Sequence, residues 1–183
     1  MALALLGLGA VGVFATLKTV TLGTAGVRDF DVATSVAQGW ADRARADATA
    51  WISATTFGGA SLLARGSDGN AFVPTVAYGS VSVQGGADLR GVDIAANDAT
   101  ARFCTAVRYR CITGAAPDPS CPAIVATATV FWPREGATAA ANPFCTAQLA
   151  LAALPANGAD RDVAFDNVYR AVTVSTVVTP TLP

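Results

Sequence analysis

The cysteines are the residues of this chain with the most evident chemistry. Cys104, Cys111, Cys121 and Cys145 all lie in the second half of the 183 residues. An even number of cysteines behind an apolar N-terminal segment is typical of an exported protein with disulfide bonds. A zinc site is the alternative, but the spacings contain no C-x₂₋₄-C pair and the chain has no histidine. The pattern therefore favours two disulfides.

Strand geometry favours one of the three possible pairings. Cys104 and Cys111 fall on one predicted strand, and seven extended steps exceed the reach of a disulfide. If that strand forms a hairpin with the next one, Cys111 and Cys121 lie opposite each other across the loop. We therefore predict the bridges Cys111–Cys121 and Cys104–Cys145.

The other titratable residues indicate no enzyme class. Without histidine, the chain lacks the commonest general base and metal ligand, and Glu135 is its only glutamate. The carboxylates at 160–162 with Asp166, and Asp68 with Asn70, match no calcium-loop pattern and are interpreted as turn residues. No phosphate-binding glycine loop or G-x-S-x-G is present. We predict no active site, cofactor, metal or enzymatic activity, and the net charge of −1 without a charge block predicts no nucleic-acid partner.

A β-rich segment must position the cysteines. The clearest strand is Ala101–Ile112, where alternation places two sets of side chains on opposite faces. One face carries Phe103, Thr105, Val107, Tyr109 and Cys111, and the other carries Arg102, Cys104, Ala106, Arg108 and Arg110. The three arginines would suit a phosphate or an acidic partner, but a solvated outer sheet face is the favoured interpretation. The further predicted elements are an apolar turn at Leu62 and Leu63, a kinked or bulged strand Thr75–Gln84, a short strand Val92–Ala95, the strands Ala123–Trp132 and Tyr169–Val178, and a short helix or irregular cover at 144–154.

The N-terminal residues form the other predicted element, one helix over residues 1–54. No proline interrupts them, and Met1 to Leu17 carries no charge. Seventeen helical residues span roughly 25 Å, slightly less than the roughly 30 Å hydrocarbon core of a bilayer. A cleaved secretory signal is the alternative, but no basic residue precedes the run and no cleavage site is followed by a change of composition.

Beyond Lys18 the helix is amphipathic. Apolar side chains fall within an arc of roughly 140° and the charged ones fall outside it. The residues predicted to pack between helix and sheet are Val27, Phe30, Trp40, Ala44, Trp51 and Ile52. The predicted fold class is α+β, with the long N-terminal helix packed on one face of an antiparallel sheet of about four strands. Residues 1–20 and 21–54 are the apolar and amphipathic halves of the helix, and 55–183 form a globular β domain with two disulfides.

This arrangement resembles the bacterial type IV pilins. The segments LALLGLGAVGVFATLK and VAQGWADRARADA are similar to PilV-like minor pilins and to minor pseudopilins of type II secretion, and ATATVFWP is similar to a strand of such minor pilins. Members of the family begin with a basic leader, a glycine cleavage point and an early glutamate, and none of these is found here. The expectation is that Met1 is an internal methionine of the apolar segment.

The resemblance implies a non-enzymatic structural subunit that primes or caps a filament. Its apolar half would cross the inner membrane once before assembly and then join the helical bundle of an extracellular filament. The partners implied are other pilin or minor pilin subunits, with a tip adhesin as a further one. The residues implied in bundle packing are Leu5, Leu6, Gly7, Gly9, Gly12, Val13 and Phe14. The alternative is a signal-anchored or secreted β domain that binds a surface ligand.

Overall fold

The computed structural model describes defined parts of the chain. The backbone is described for residues 2–53, 56–57, 61–74, 77–78, 81–82, 85–134, 145 and 163–180. Side chains are described for residues 24–49, 51, 57, 61–74, 85–134, 145 and 165–180. The predicted cover at 144–154 therefore lies outside the described residues, except for Cys145.

One helix, α1, runs from Ala2 to Asp47 and contains 46 residues. Alanine and leucine favour it, and no proline interrupts it. Along its second half the residues at helical spacing are buried, namely Ala33, Val36, Ala37, Trp40, Ala41, Ala44 and Ala48, the last just past the helix end. The alanines let neighbouring backbone approach closely, and Trp40 is the largest side chain buried in this stripe.

The end of α1 corrects the sequence prediction. The helix stops at Asp47 rather than near Ala54, and Trp51 and Ile52 belong to a strand. The indole N–H of Trp51 donates to the carbonyl oxygen of Pro119 at 3.1 Å, and its ring meets Phe57 edge-on with centroids 5.6 Å apart. These tertiary contacts outweigh the helical periodicity, because propensity is worth only tenths of a kcal/mol per residue.

A five-stranded antiparallel sheet follows, whose strands, in their order across the sheet, are Asp93–Ile94, Gly86–Ala87, Phe103–Cys111, Ile124–Pro133 and Tyr169–Val178. The fold class α+β is thus confirmed, with five strands in this sheet rather than about four. The elements after α1 are a 3₁₀ helix Ala48–Ala50, β1 Trp51–Ser53, β2 Thr56–Phe57, α2 Leu62–Arg65, β3 Ala77–Tyr78, β4 Val81–Ser82, β5 Gly86–Ala87, β6 Asp93–Ile94, β7 Phe103–Cys111, β8 Ile124–Pro133, α3 Val163–Val168 and β9 Tyr169–Val178.

The predicted strand Thr75–Gln84 is a small hairpin instead. Within it, β3 and β4 pair with each other in antiparallel register. Glycine in a strand interior weakens it and often marks a bend, and a glycine and a serine separate these two pieces.

Two hydrophobic cores occupy opposite sides of the sheet. The first core joins helix residues such as Trp40 and Ala44 to Val107, Ile124 and Val130 of the sheet. The second core surrounds Phe131, Phe165 and Tyr169, whose rings lie 5.2 to 5.8 Å apart between centroids. We call the side of β7 with Cys104, Ala106, Arg108 and Arg110 the arginine face.

Candidate assembly surface

Trp40 lies at the centre of the first core and is 1 % exposed. Its ring is also covered by the guanidinium of Arg43, whose central carbon lies 4.8 Å from the ring centroid. The indole N–H has no hydrogen-bond partner among the described residues. Trp40 and Ala44 therefore occupy the buried positions that the stripe predicts, and Trp51 is equally buried although it lies in β1.

Polar side chains attach α1 to the sheet domain at three points. Asp29 accepts a hydrogen bond from Arg102 at 2.9 Å, and Arg45 donates to the hydroxyl of Thr176 at 2.9 Å. Arg43 forms an ion pair with Asp93 in β6. These contacts are spread along α1 from Asp29 to Arg45, so they hold its direction as well as its position.

Val27 and Phe30 lie on α1 and are exposed, which corrects their predicted role in packing. Val27 is 63 % and Phe30 54 % exposed, whereas Ala33, one turn further along, is fully buried. Phe30 has the helical angle of the predicted stripe, but the described contacts on this part of α1, from Arg102 to Asp29 and from Arg170 close to Gly26, leave its ring more than half exposed. We call this exposed pair the overhang patch. It belongs to the predicted packing stripe, but no described residue covers it.

The remaining predicted helix residues have no described side chains. Leu5, Leu6, Gly7, Gly9, Gly12, Val13, Phe14 and Ile52 all belong to this group. In the part of the chain that the structure describes with side chains, no helix combines the length and apolar character that crossing a membrane requires.

Both disulfides have the predicted connectivity. Cys104 bridges to Cys145 with the Cα atoms 5.4 Å apart, and Cys111 bridges to Cys121 with the Cα atoms 5.8 Å apart. The second bridge closes the β7–β8 hairpin, where Cys111 pairs in register with Ile124. The first attaches Cys145 to the arginine face, and Cys145 is buried in the second core.

The arginine face is only partly open, which corrects the prediction of a solvated outer face. Near the start of β7, Cys104 and Ala106 are buried in the second core. Towards its end, Arg108 and Arg110 are half-buried. Burial, with a smaller effect of the neighbouring Arg110, lowers the pKa of Arg108. The Arg110 guanidinium donates a hydrogen bond to the carbonyl oxygen of Gly114, in the loop of the hairpin, at 2.9 Å.

Hydroxyl groups fill the rest of this face. Thr127 and Thr129 of β8 lie 3.1 and 3.2 Å, oxygen to oxygen, from Ser175 and Thr173 of β9. Such cross-strand pairs stabilise a sheet by a few tenths of a kcal/mol to about 1 kcal/mol each. They also make this face of β8 and β9 a polar, uncharged surface.

Asp47 joins the end of α1 to α2. Its carboxylate accepts a hydrogen bond from the backbone N–H of Leu63 at 3.0 Å, and Ser61 caps the same short helix through the N–H of Ala64 at 3.0 Å. Burial raises the pKa of Asp47, and the backbone hydrogen bonds from Leu63 and Leu62 oppose that effect. The sequence pattern does not indicate this half-buried carboxylate, because Asp47 follows the charged side of α1.

The carboxylates considered for calcium serve as turn residues where they are described. Asp68 accepts hydrogen bonds from the backbone and side-chain nitrogens of Asn70 at 2.9 and 3.1 Å, and these bonds lower its pKa. No group of metal-ligating residues occurs among the described residues. The cluster at 160–162 lies outside them.

A shallow groove separates α1 from the β5–β6 turn. It is lined by Asp31, Ser35, Gly39, Arg90 and Gly91, among others. Gly91 has a positive φ of 79°, and a Cβ there would lie 3.3 Å from two valine side chains of α1. The turn therefore approaches α1 closely because position 91 has no side chain.

No family model, curated protein or solved structure matches this chain. The resemblance to type IV pilins stays a prediction from the residues quoted above.

Proposed function

We propose that this chain is a structural subunit of a type IV pilus-like filament, of the minor pilin or pseudopilin kind. In this proposal α1 covers one face of the sheet with its second half and joins the filament with its first half. The observation that carries the proposal is that α1 is one uninterrupted helix of 46 residues, whose second half carries the buried stripe that ends in Ala44 and Ala48.

The overhang patch supports the proposal. Val27 and Phe30 are large apolar side chains on an amphipathic helix, and both are more than half exposed. Single exposed apolar residues are common on protein surfaces, but this pair continues the stripe that is buried from Ala33 onwards. A second helix of a neighbouring subunit would bury the patch in the same way as the sheet buries the later stripe.

The attachment of α1 also suits a filament subunit. The contacts of Asp29 with Arg102 and of Arg45 with Thr176 fix the helix against the sheet domain over most of its described side chains. If these contacts persist in the filament, the direction of α1 determines where the sheet domain lies when the first half is packed among other subunits. A domain on a flexible tether would not transmit this geometry.

The apolar half completes the proposal. Residues 1–20 would cross the inner membrane before assembly and pack with other pilin helices afterwards. Because lipid is already apolar, the transfer gains little hydrophobic free energy, and close approach at Gly7, Gly9 and Gly12 would supply packing instead. The sheet domain would face outwards, where an oxidising environment maintains its two disulfides.

The test compares two exposed apolar sites in the native host. The double variant V27E/F30E places charge on the overhang patch, and I112E places it on an equally exposed residue of the β7–β8 loop, 59 % exposed. Surface filaments are sheared from cells, and the chain is detected by immunoblot in the sheared and membrane fractions. We expect wild type and I112E in the sheared fraction, and V27E/F30E only in the membrane fraction at the wild-type level.

Two results would contradict this function. If V27E/F30E were present in filaments at the wild-type level, the overhang patch would not be needed for assembly. A wild-type chain released into the medium without its first residues, and absent from filaments, would favour the secreted β domain that binds a surface ligand. Circular dichroism of each purified variant establishes that its fold is retained.

A further inference from the structure

Arg170, the second residue of β9, is an exposed cation that reaches α1. Its register partner on β8 is Trp132, which is buried in the first core. Side chains that are directly opposite each other on neighbouring strands point to the same face of a sheet, so Arg170 lies on the face that shares this core with α1. At Gly26 of α1, a Cβ would lie 3.2 Å from a guanidinium nitrogen of Arg170.

The contact at Gly26 places this guanidinium next to the overhang patch. Gly26 directly precedes Val27 and lies one helical turn before Phe30. Positions four residues apart are neighbours on a helix surface, with about 5–6 Å between their Cβ atoms. A partner helix that buries the overhang patch would therefore also meet Arg170.

The guanidinium of Arg170 has no ion pair or hydrogen bond with any residue that the structure describes. Arg102, at the same end of the sheet, also reaches α1, but it pairs with Asp29. Nearer its N-terminus α1 has no second carboxylate to offer, because residues 1–28 contain neither aspartate nor glutamate. The next acid, Asp31, lies about 140° around the helix from Gly26. The surface thus combines two apolar side chains with a cation that its own helix does not neutralise.

We propose that the neighbouring helix that covers the overhang patch carries a carboxylate, which pairs with Arg170. This inference rests on the filament function proposed above, and it specifies the partner as an apolar helix with one aspartate or glutamate at the contact. Burial of an unpaired guanidinium would oppose the burial of Val27 and Phe30. A carboxylate offsets that cost through charge-assisted hydrogen bonds, which the planar guanidinium can form in pairs. Helices without such an acid would be disfavoured as partners.

Charge reversal in the native host tests this pair. R170E would place a carboxylate against that of the partner, and R65E makes the same change at an exposed arginine of α2. Both variants are detected by immunoblot in the sheared and membrane fractions, as for V27E/F30E. We expect R65E in sheared filaments at the wild-type level and R170E at least roughly tenfold lower, because like charges in contact repel each other.

Cross-linking identifies the partner residue. R170K keeps the positive charge and adds a primary amine to a chain whose only lysine is Lys18. A carbodiimide couples an amine to a carboxylate in contact with it, forming an amide while the reagent takes up the water, and it does not couple arginine. In treated R170K filaments, mass spectrometry should find position 170 joined to an aspartate or glutamate in a helix of another subunit. R65K is the matched control and should give no product with another subunit.

The outcomes separate this inference from the filament function. R170E in filaments at the wild-type level would overturn the pair, and the filament function would stand if V27E/F30E were excluded in the same assay. R170K without a cross-link to another subunit would also overturn it. If R170E and V27E/F30E both assembled normally, or if the wild-type chain were absent from filaments, both proposals would fail. Circular dichroism establishes whether purified R170E folds, and the R170K cross-link decides the question if it does not.

Discussion

Replacing Trp40 with alanine is expected to destabilise the sheet domain by about 3–5 kcal/mol, the range for large aromatic side chains removed from a core. The indole is 1 % exposed. Folding removes up to about 250 Å² of its surface from water, which stabilises the folded state by at most about 6 kcal/mol. The contact with Arg43 adds about 0.5–1 kcal/mol. The indole N–H, which lacks a described partner, reduces the total by about 1–3 kcal/mol.

Phe30 provides the matched comparison on the same helix. It is 54 % exposed, so F30A removes less than half of the contacts of a buried ring and should cost about 1 kcal/mol or less. W40F keeps most of the ring and removes the N–H without a partner. We therefore expect W40F to cost less than half as much as W40A.

The assay is urea unfolding of the full chain in detergent, followed by far-UV circular dichroism under non-reducing conditions. Midpoints and slopes are compared for wild type, W40A, W40F and F30A, because equal slopes permit midpoint shifts to be converted into free energies. If F30A were as destabilising as W40A, the packing boundary on α1 would be wrong. If W40A cost less than about 1 kcal/mol, Trp40 would not lie at the centre of the core.

Three further sets of substitutions test other parts of the fold, each by urea unfolding. The free energy of unfolding of wild type relative to that of D47N should fall as the pH rises from 3.8 through the raised pKa of Asp47, and it should be constant above that pKa. The reason is that the folded state favours the protonated acid. A difference that does not depend on pH would contradict the burial of this carboxylate. Replacing both cysteines of a bridge with serine should lower the free energy of unfolding by about 3.9 kcal/mol for the bridge of Cys104 and by about 2.7 kcal/mol for that of Cys111. The reason is that the two closed loops contain 41 and 10 residues, and the longer loop loses more entropy when it is closed. The reverse order would contradict this argument. G91A should be more destabilising than G114A, since both have positive φ but only Gly91 faces side chains of α1; equal losses would show that the turn does not contact the helix.

The long strands and their disulfides could be predicted because their determinants are local. Alternation over 101–112 and the proline-rich turn after it define a hairpin, and that hairpin places Cys111 across from Cys121. The observed strands β7, β8 and β9 begin and end within about two residues of the predicted ones. β9 agrees at both ends.

The short strand β5 could not be predicted, because it depends on the absence of a side chain at Gly86. Gly86 pairs with Cys104 and Ile94 on its two sides. A Cβ at this position would lie 2.8 Å from the carbonyl oxygen of Ala95 and 2.9 Å from that of Ile94. The sequence GGAD has no alternation and predicts no strand, and only the tertiary contacts make it the strand that joins β6 to the sheet.

The limits of the α1 prediction follow from what periodicity measures. A stripe of apolar side chains specifies the side of a helix that is covered, but it contains no information about where along the axis the cover begins. Phe30 and Trp40 share that stripe and differ in exposure from 54 % to 1 %. The sheet domain still contacts α1 at Asp29, next to Phe30, so the difference depends on how far the cover extends around the helix at each position. Phe30 therefore contributes less to the stability of the domain than Trp40 does, and the same exposure leaves it accessible to the neighbouring subunit that we propose.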